Sequence, residues 1–297
     1  MLAPIEAIFC DIDDFCKEFF GSEHTHLLPN PNRVRNRCSK MSISELATIL
    51  VLFQMSHYKT LKDFYQDCIH GELKSYFPST VSYNRFVELQ SSCLTVLSAY
   101  LLSHAGEATE LYYMDSTTLT VCHNKRIRRH KVFKGIAERG KSTMGWFYGF
   151  KLHLAINHQG ELVSFCVTKG NVDDRKQVLH LMRNLNGIVC ADKGYISKKL
   201  TQSLAEQGMT IVTKVRKNMK KKIYSAFETF LLSKRGIIET IIDQLKNWYQ
   251  LQHTRHRSPI NFLVNIVSAL AAYTWRQNKP KVNGVSSVSN FKTVTSS

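Results

Sequence analysis

The sequence predicts an α/β protein: a mixed sheet flanked by helices, preceded by an all-helical N-terminal part. Three observations predict it. Up to about residue 105 apolar residues recur at helical spacing, from Glu110 they alternate as in strands, and beyond residue 185 short strands and helices take turns. Consecutive strands followed by strand–helix alternation give antiparallel neighbours first and parallel crossovers after. The 297 residues suffice for two units, read as a helical domain over 1–105 and an α/β domain over 106–277. A tail over 278–297, rich in Ser, Asn, Lys and Val, reads as frayed.

Each element has a local reason. Ser42 followed three residues later by Glu45 makes a capping box, and Leu46, Ile49, Leu50 and Phe53 supply the apolar stripe behind it. A second helix fits 61–68, and a third runs over 83–101 after the break at Pro78-Ser79. Leu111, Tyr113, Asp115, Thr117, Leu119 and Val121 alternate with Tyr112, Met114, Ser116 and Thr118, a pattern rich in aromatic and β-branched types. A basic, Gly-bearing segment covers 125–145. Residues 146–156 and 161–168 then read as strands joined by the turn His158-Gln159-Gly160. Asp173 and Asp174 cap a helix ending near Leu185; a buried strand over 188–191, a helix over 197–207 and a strand over 209–215 follow. A long helix begins at Arg235. The helices ahead of the sheet suit a helix-turn-helix reader and a packing and dimerisation module equally well.

Charge points to the partner. Forty Lys and Arg against 23 Asp and Glu give a formal net charge of +17, an excess that calls for a polyanion. A membrane is disfavoured: the opening MLAPIEAIFCDIDDF is acidic where a signal peptide is basic, and the apolar stretch 262–273 is short and interrupted by Asn265 and Ser268. The expectation is a soluble protein acting on nucleic acid, with no small-molecule substrate. The eight cysteines (10, 16, 38, 68, 93, 122, 166 and 190) contain no Cys-x-x-Cys pair and read as reduced thiols. Neither Cys122 with His123 nor His253 with His256 has the spacing of a structural zinc site.

Three carboxylates stand out. Asp115 lies in the middle of a central strand, where a buried charge needs compensation. Asp192 sits just past the end of the strand over 188–191, at the carboxyl edge where α/β sheets bind ligands. Glu239 is on the last helix of the sheet domain, opposite the stripe Ile237, Ile238, Ile241, Ile242 and Leu245. Two Asp and a Glu so placed suit two Mg²⁺ ions. On spacing alone Asp192 before Lys193-Gly194 is equally a turn former, Glu239 with Arg235 is equally a surface ion pair, and Asp243 is an alternative third ligand.

At these residues the chain resembles the DDE transposases of bacterial insertion sequences, and most closely the insertion-sequence 982 family. The matching stretches are Tyr113-Met114-Asp115-Ser116, Gly149-Phe150-Lys151-Leu152-His153, Ala191-Asp192-Lys193-Gly194-Tyr195, Lys234-Arg235-Gly236-Ile237-Ile238-Glu239 through Leu245-Lys246, and His253-Thr254-Arg255-His256-Arg257-Ser258-Pro259. Ser82-Tyr83-Asn84-Arg85-Phe86 looks familial too. The resemblance implies a ribonuclease H-like catalytic core in which Asp115, Asp192 and Glu239 form the catalytic, metal-binding triad, with two Mg²⁺ ions that Mn²⁺ replaces. Related transposases carry a signature of Tyr, Arg, Glu and Lys separated by two, three and six residues. Arg235, Glu239 and Lys246 fit it, but Leu232 stands where the Tyr belongs, so no role of that Tyr carries over.

Further implications are cleavage at the ends of the element, transfer of the freed 3′-hydroxyl into target DNA, and a homodimer that pairs two terminal inverted repeats in the bacterial cytoplasm, on the nucleoid. Arg235, Lys246, Lys151, His153, Arg128, Arg129, Lys134 and Lys193 are the candidate DNA contacts. The basic stretch from His123 to Lys151, with Phe133, Trp146 and Phe147 interleaved, suits phosphates and unpaired bases, and a second cluster covers 214–222. A nuclease of the same fold that does not join strands, and a non-catalytic DNA-binding protein, remain as alternatives.

Overall fold

The structure, a computed structural model, describes residues 4–21, 39–252 and 256–284. Cys38, the stretch His253-Thr254-Arg255 and the tail beyond Gly284 lie outside the described residues. Two compact units are present, one of Met1–His104 with Gln244–Gln277, the other of Ala105–Asp243 with Asn278–Ser297.

The first unit opens with α1 (Ile5–Phe20), α2 (Ile43–Met55), α3 (Leu61–Asp63) continuing as π-helical turns over Phe64–Glu72, α4 (Tyr83–Leu89) and α5 (Cys93–Ser103). The capping box at Ser42 forms: its Oγ accepts from the Glu45 amide at 3.1 Å while Glu45 Oε2 accepts from the Ser42 amide at 2.7 Å. Almost every α2 side chain is buried, so this helix is the centre of the unit rather than an amphipathic cover. α4 and α5 join through a 3₁₀ turn into Tyr83–Ser103, a run long and apolar enough by composition to cross a membrane. Its Phe86, Leu89, Cys93, Val96, Leu97, Tyr100 and Leu101 are buried inside the unit, as in a core helix.

The second unit holds the sheet: β1 (Leu111–Cys122), β2 (Glu138–Ser142), β3 (Gly145–Asn157), β4 (Leu162–Lys169), β5 (Gly187–Ala191) and β6 (Met209–Thr213). The order is β2-β3-β1-β5-β6, with β4 beside β3. β3 runs antiparallel to β1, β2 and β4, whereas β5 runs parallel to β1 and β6 parallel to β5, the mixed arrangement expected. α6 (Val178–Leu181) and α7 (Lys198–Glu206) pack a core of Val178, Leu181, Met182, Leu200 and Leu204 against Tyr112, Met114, Val189 and Ala191. After β6 come α8 (Ala226–Ser233) and α9 (Gly236–Asn247). Gly149 is dictated by β1: a Cβ there would lie 2.0 Å from the Leu119 carbonyl oxygen.

Several elements differ from expectation. β2 forms inside the basic segment, and α8 precedes the long helix, started by a second capping box at Ser225 and Glu228. The helix capped at Asp173 is only a 3₁₀ turn, Asp174–Gln177, followed by the single turn of α6. The domain boundary also moves. α10 (Pro259–Thr274) is apolar nearly all round and packs on α2 and α5, so Gln244–Gln277 joins the N-terminal helices. Polar contacts fix it: Gln54 Nε2 donates to Asn265 Oδ1 at 2.9 Å, Asn261 Nδ2 to the Val87 carbonyl at 3.1 Å, and Trp275 Nε1 to Tyr100 Oη at 3.0 Å. The described start of the tail returns to the sheet unit, where the Val282 amide donates to the His158 carbonyl at 2.8 Å and Val282 is buried.

Candidate active site

The sheet register brings the first two acids together. β1 and β5 are parallel with Tyr113 opposite Cys190, so two residues further along Asp115, inside β1, and Asp192, just past the carboxyl end of β5, occupy matching places. Asp192 follows the last residue of β5, and its backbone stays extended before the 3₁₀ turn Lys193–Tyr195. Glu239 projects from the first turn of α9.

One cation ties the three together. The Arg235 guanidinium approaches Asp115 Oδ2 through Nη1 at 3.6 Å and Asp192 Oδ1 through Nη2 at 3.9 Å, and hydrogen-bonds Glu239 Oε1 through Nη2. The Arg235 side chain is only 19% exposed, and its buried Nη1 has no hydrogen-bond partner. Glu239 itself stays exposed, but its partner Arg235 also reaches Asp115 and Asp192, so the pair is part of a four-residue charge cluster rather than an isolated surface bridge. Burial pushes the Asp115 carboxyl up to about 6; the Ser116 amide, donating to Oδ1 at 2.8 Å, and Arg235 pull it down, while Asp192 and Glu239 raise it.

Two residues that the sequence did not place in the site also stand here. Tyr195 is 5% exposed, hydrogen-bonds the Ser116 side chain and feels the charges of Asp115, Asp174 and Asp192; burial, first of all, raises its hydroxyl pKa. Asp174, read as a helix cap, leaves capping to Asp173 and turns inward, accepting from Lys151 Nζ at 2.8 Å. Lys151 also donates to the Val172 carbonyl at 2.9 Å. His153, two residues on from Lys151 along β3, is fully buried as a structural histidine, with Nε2 on Thr168 Oγ1 at 2.8 Å and Nδ1 4.0 Å from Asp174. Neither side chain is presented to a DNA surface. Arg128, Arg129, Lys134 and Lys193 are exposed, and Lys246 lies two turns beyond Glu239 on α9. Of the aromatics in the basic stretch, Phe133 and Phe147 are core residues and Trp146 alone is exposed. Leu232, which stands at the signature's Tyr position, is buried in α8.

A family model described as a transposase DDE domain matches residues 105–259. The chain belongs to the DDE transposase family. The matched stretch begins before β1 and ends at the start of α10, so it contains Asp115, Asp192 and Glu239. No curated protein matches the chain. Among solved structures, a piggyBac transposase synaptic complex with hairpin DNA aligns with a TM-score of 0.52 at 11% identity, covering 90% of this chain and 71% of that one. The Mos1 mariner transposase catalytic domain aligns at 0.23 with 11% identity over 66% and 92%, and a simian T-cell lymphotropic virus intasome bound to a PP2A regulatory subunit at 0.27 with 14% identity over 65% and 58%. The piggyBac likeness shows the fold, a ribonuclease H-like core after N-terminal helices.

DDE transposases use divalent metal ions. Among the described residues no three His, Cys, Asp or Glu side chains stand ready as a ligand group. Arg235 stands among the three carboxylates instead. The donor chemistry fits a hard cation all the same: three carboxylates already gather round one positive charge, and the most buried of them is the hardest to keep ionised without one.

Proposed function

We propose that this DDE protein is the transposase of a bacterial insertion sequence resembling the 982 family, cutting at the element's ends and joining them to target DNA. The observation that carries the reading is the gathering of Asp115, Asp192 and Glu239 round the Arg235 guanidinium at the carboxyl end of β5. Asp115, Asp192 and Glu239 would hold the divalent ions, two Mg²⁺ with Mn²⁺ as substitute, which would supply activation of the attacking oxygen and stabilisation of the leaving one. In the first step water attacks the phosphorus at the element's end, the bond to the 3′-oxygen breaks, and that oxygen leaves as a hydroxyl. In the second step this hydroxyl attacks a target phosphodiester and releases a target 3′-hydroxyl, so each displacement breaks one P–O bond and makes one.

The chain's own groups set the geometry. Parallel pairing of β1 with β5 holds Asp115 and Asp192 side by side, and Tyr195 buttresses the segment through Ser116. Entering phosphates compete with the carboxylates for Arg235, while Lys246, Lys193, Arg128, Arg129 and Lys134 neutralise the flanking backbone. The N-terminal helical unit serves end recognition or pairing of two copies on DNA, and the protein works in the bacterial cytoplasm on the nucleoid.

The test is cleavage of supercoiled DNA carrying the element's terminal repeats, with Mg²⁺, Mn²⁺ or EDTA, for wild type and the Asp115→Ala, Asp192→Ala and Glu239→Ala proteins. Wild type is expected to nick at the ends and give joined products only with metal, and each variant to lose at least ~10³-fold in rate. Cleavage without joined products marks a nuclease, binding without cleavage a non-catalytic protein, and full cleavage by Asp192→Ala sinks the triad.

A further inference from the structure

β2 and the start of β3 extend past the rest of the sheet. Pairing of β3 with β1 stops at Tyr148 opposite Cys122, whereas β2 and β3 stay paired to Ser142 opposite Gly145. The end of this hairpin is a two-stranded arm, a form that is marginal unless something else holds it. Trp146 on the arm is 53% exposed and Met144 at its turn 96% exposed. Phe147, the next residue, points the other way and is buried, so the exposure of Trp146 belongs to its face of the ribbon.

That face is cationic. Lys141 is directly opposite Trp146, and Arg139 is its diagonal neighbour two residues along β2. The Arg139 guanidinium carbon lies 4.9 Å from the indole centre and Lys141 Nζ 5.8 Å from it. The Asn124 side-chain amide donates to the Trp146 carbonyl at 2.6 Å, pinning the arm to the 3₁₀ turn Asn124–Arg129, where Lys125, Arg126, Arg128 and Arg129 are exposed. None of these six cations forms an ion pair among the described residues; the one acid of the segment, Glu138, faces Lys169 at 3.9 Å. An exposed indole within unneutralised cations fits a ligand that is both flat and anionic.

We propose that Trp146, flanked by Arg139 and Lys141, is a stacking platform for an unpaired nucleobase, with the neighbouring phosphates neutralised by those two residues and the Asn124–Arg129 turn. Intact duplex satisfies the cations but keeps its base faces inside the stack, so the indole gains nothing from it; a base freed at a nick, gap or strand end offers both a π-face and adjacent phosphates. Position agrees. Asp115 pairs with Leu154 of β3, and Trp146 lies eight residues back along that strand, ~26 Å at the usual rise per residue. That is about eight nucleotide steps, so one DNA end can reach both places. The inference rests on the reading of this protein as a DNA-cutting enzyme and adds which form of DNA it grips and with which residue.

The test uses the full chain in EDTA, which prevents cleavage, and two labelled DNAs of one sequence. One is fully paired; the other carries three unpaired nucleotides, one of them 2-aminopurine. Wild type is expected to bind the gapped DNA about tenfold more tightly and to quench the 2-aminopurine, while Trp146→Ala binds it at the duplex level without quenching and Trp146→Phe keeps part of both effects. Near-UV circular dichroism checks that the variants fold. Equal affinity of wild type for the two DNAs overturns the platform and leaves the DNA-cutting reading standing, as does quenching that survives in Trp146→Ala. Failure to bind either DNA overturns both.

Discussion

Burial pushes the Asp115 carboxyl up to about 6, and neither the Ser116 amide nor Arg235 brings it back to the usual carboxylate range. The group therefore binds its proton more tightly in the folded chain than in the unfolded one. Folding stability from it is fully present below about pH 4 and is lost as pH rises through about 6. His153 slopes the other way: burial foremost, with Lys151 adding and Asp174 opposing, lowers its pKa to about 4, so stability is lost as pH falls from 6.5 towards 4. Because the two windows overlap, wild type alone gives no clean slope, but a difference between variant and wild type cancels the His153 contribution. Asp115→Asn, measured by urea unfolding in EDTA, is expected to match wild type near pH 4 and to be more stable by ~1–3 kcal/mol at pH 8. No gain at pH 8 would mean that Arg235 already offsets the whole charge. A site that stabilises the protein when its acid is removed is one whose acid is kept for a ligand.

At the scale of elements, β3 shows how a sequence motif follows from packing. Gly149 sits opposite Thr120 next to the register shift in β1, and its missing Cβ is what lets the Leu119 carbonyl come close. Gly149→Ala is expected to lower stability by at least ~2 kcal/mol, seen as a lower urea midpoint, because the clash is with backbone and no side chain can move aside. A midpoint equal to wild type would show that the strands part there at no cost. The same strand marks what was legible in advance. Alternation from Leu111 to Val121 and the apolar stretch over 188–191 placed β1 and β5, and with them Asp115 and Asp192, because strand period and strand end are written in local sequence. Asp174, Tyr195 and the inward turn of Arg235 were not readable, since they depend on which side chains meet across strands more than twenty residues apart. β2 was hidden by its charges: Arg139 and Lys141 in an exposed edge ribbon break the apolar alternation by which strands are recognised. The capping box of Ser225 and Glu228 was a local signal for α8, overshadowed by the basic run before it.

At the scale of the whole molecule, the chain leaves its first unit, builds the sheet unit, and returns through α9 to complete the first with α10. The expectation of a helical domain over 1–105 leaves out what covers α2 and α5. Both are apolar well beyond one stripe, and α10 buries Phe262, Val264, Ile266, Val267, Ala269, Leu270, Ala271, Ala272 and Tyr273 in the same core. Buried Gln54, whose Nε2 donates to Asn265 Oδ1, would lose that partner without α10. A fragment of residues 1–104 is therefore expected to be a loosely packed helical state. It should keep far-ultraviolet helix signal, bind the dye ANS, and unfold without a sharp transition. Joining residues 244–277 to it through a flexible linker should abolish dye binding and restore a cooperative thermal transition. Cooperative unfolding of 1–104 alone would show instead that the N-terminal helices carry their own core and that α10 merely docks on it.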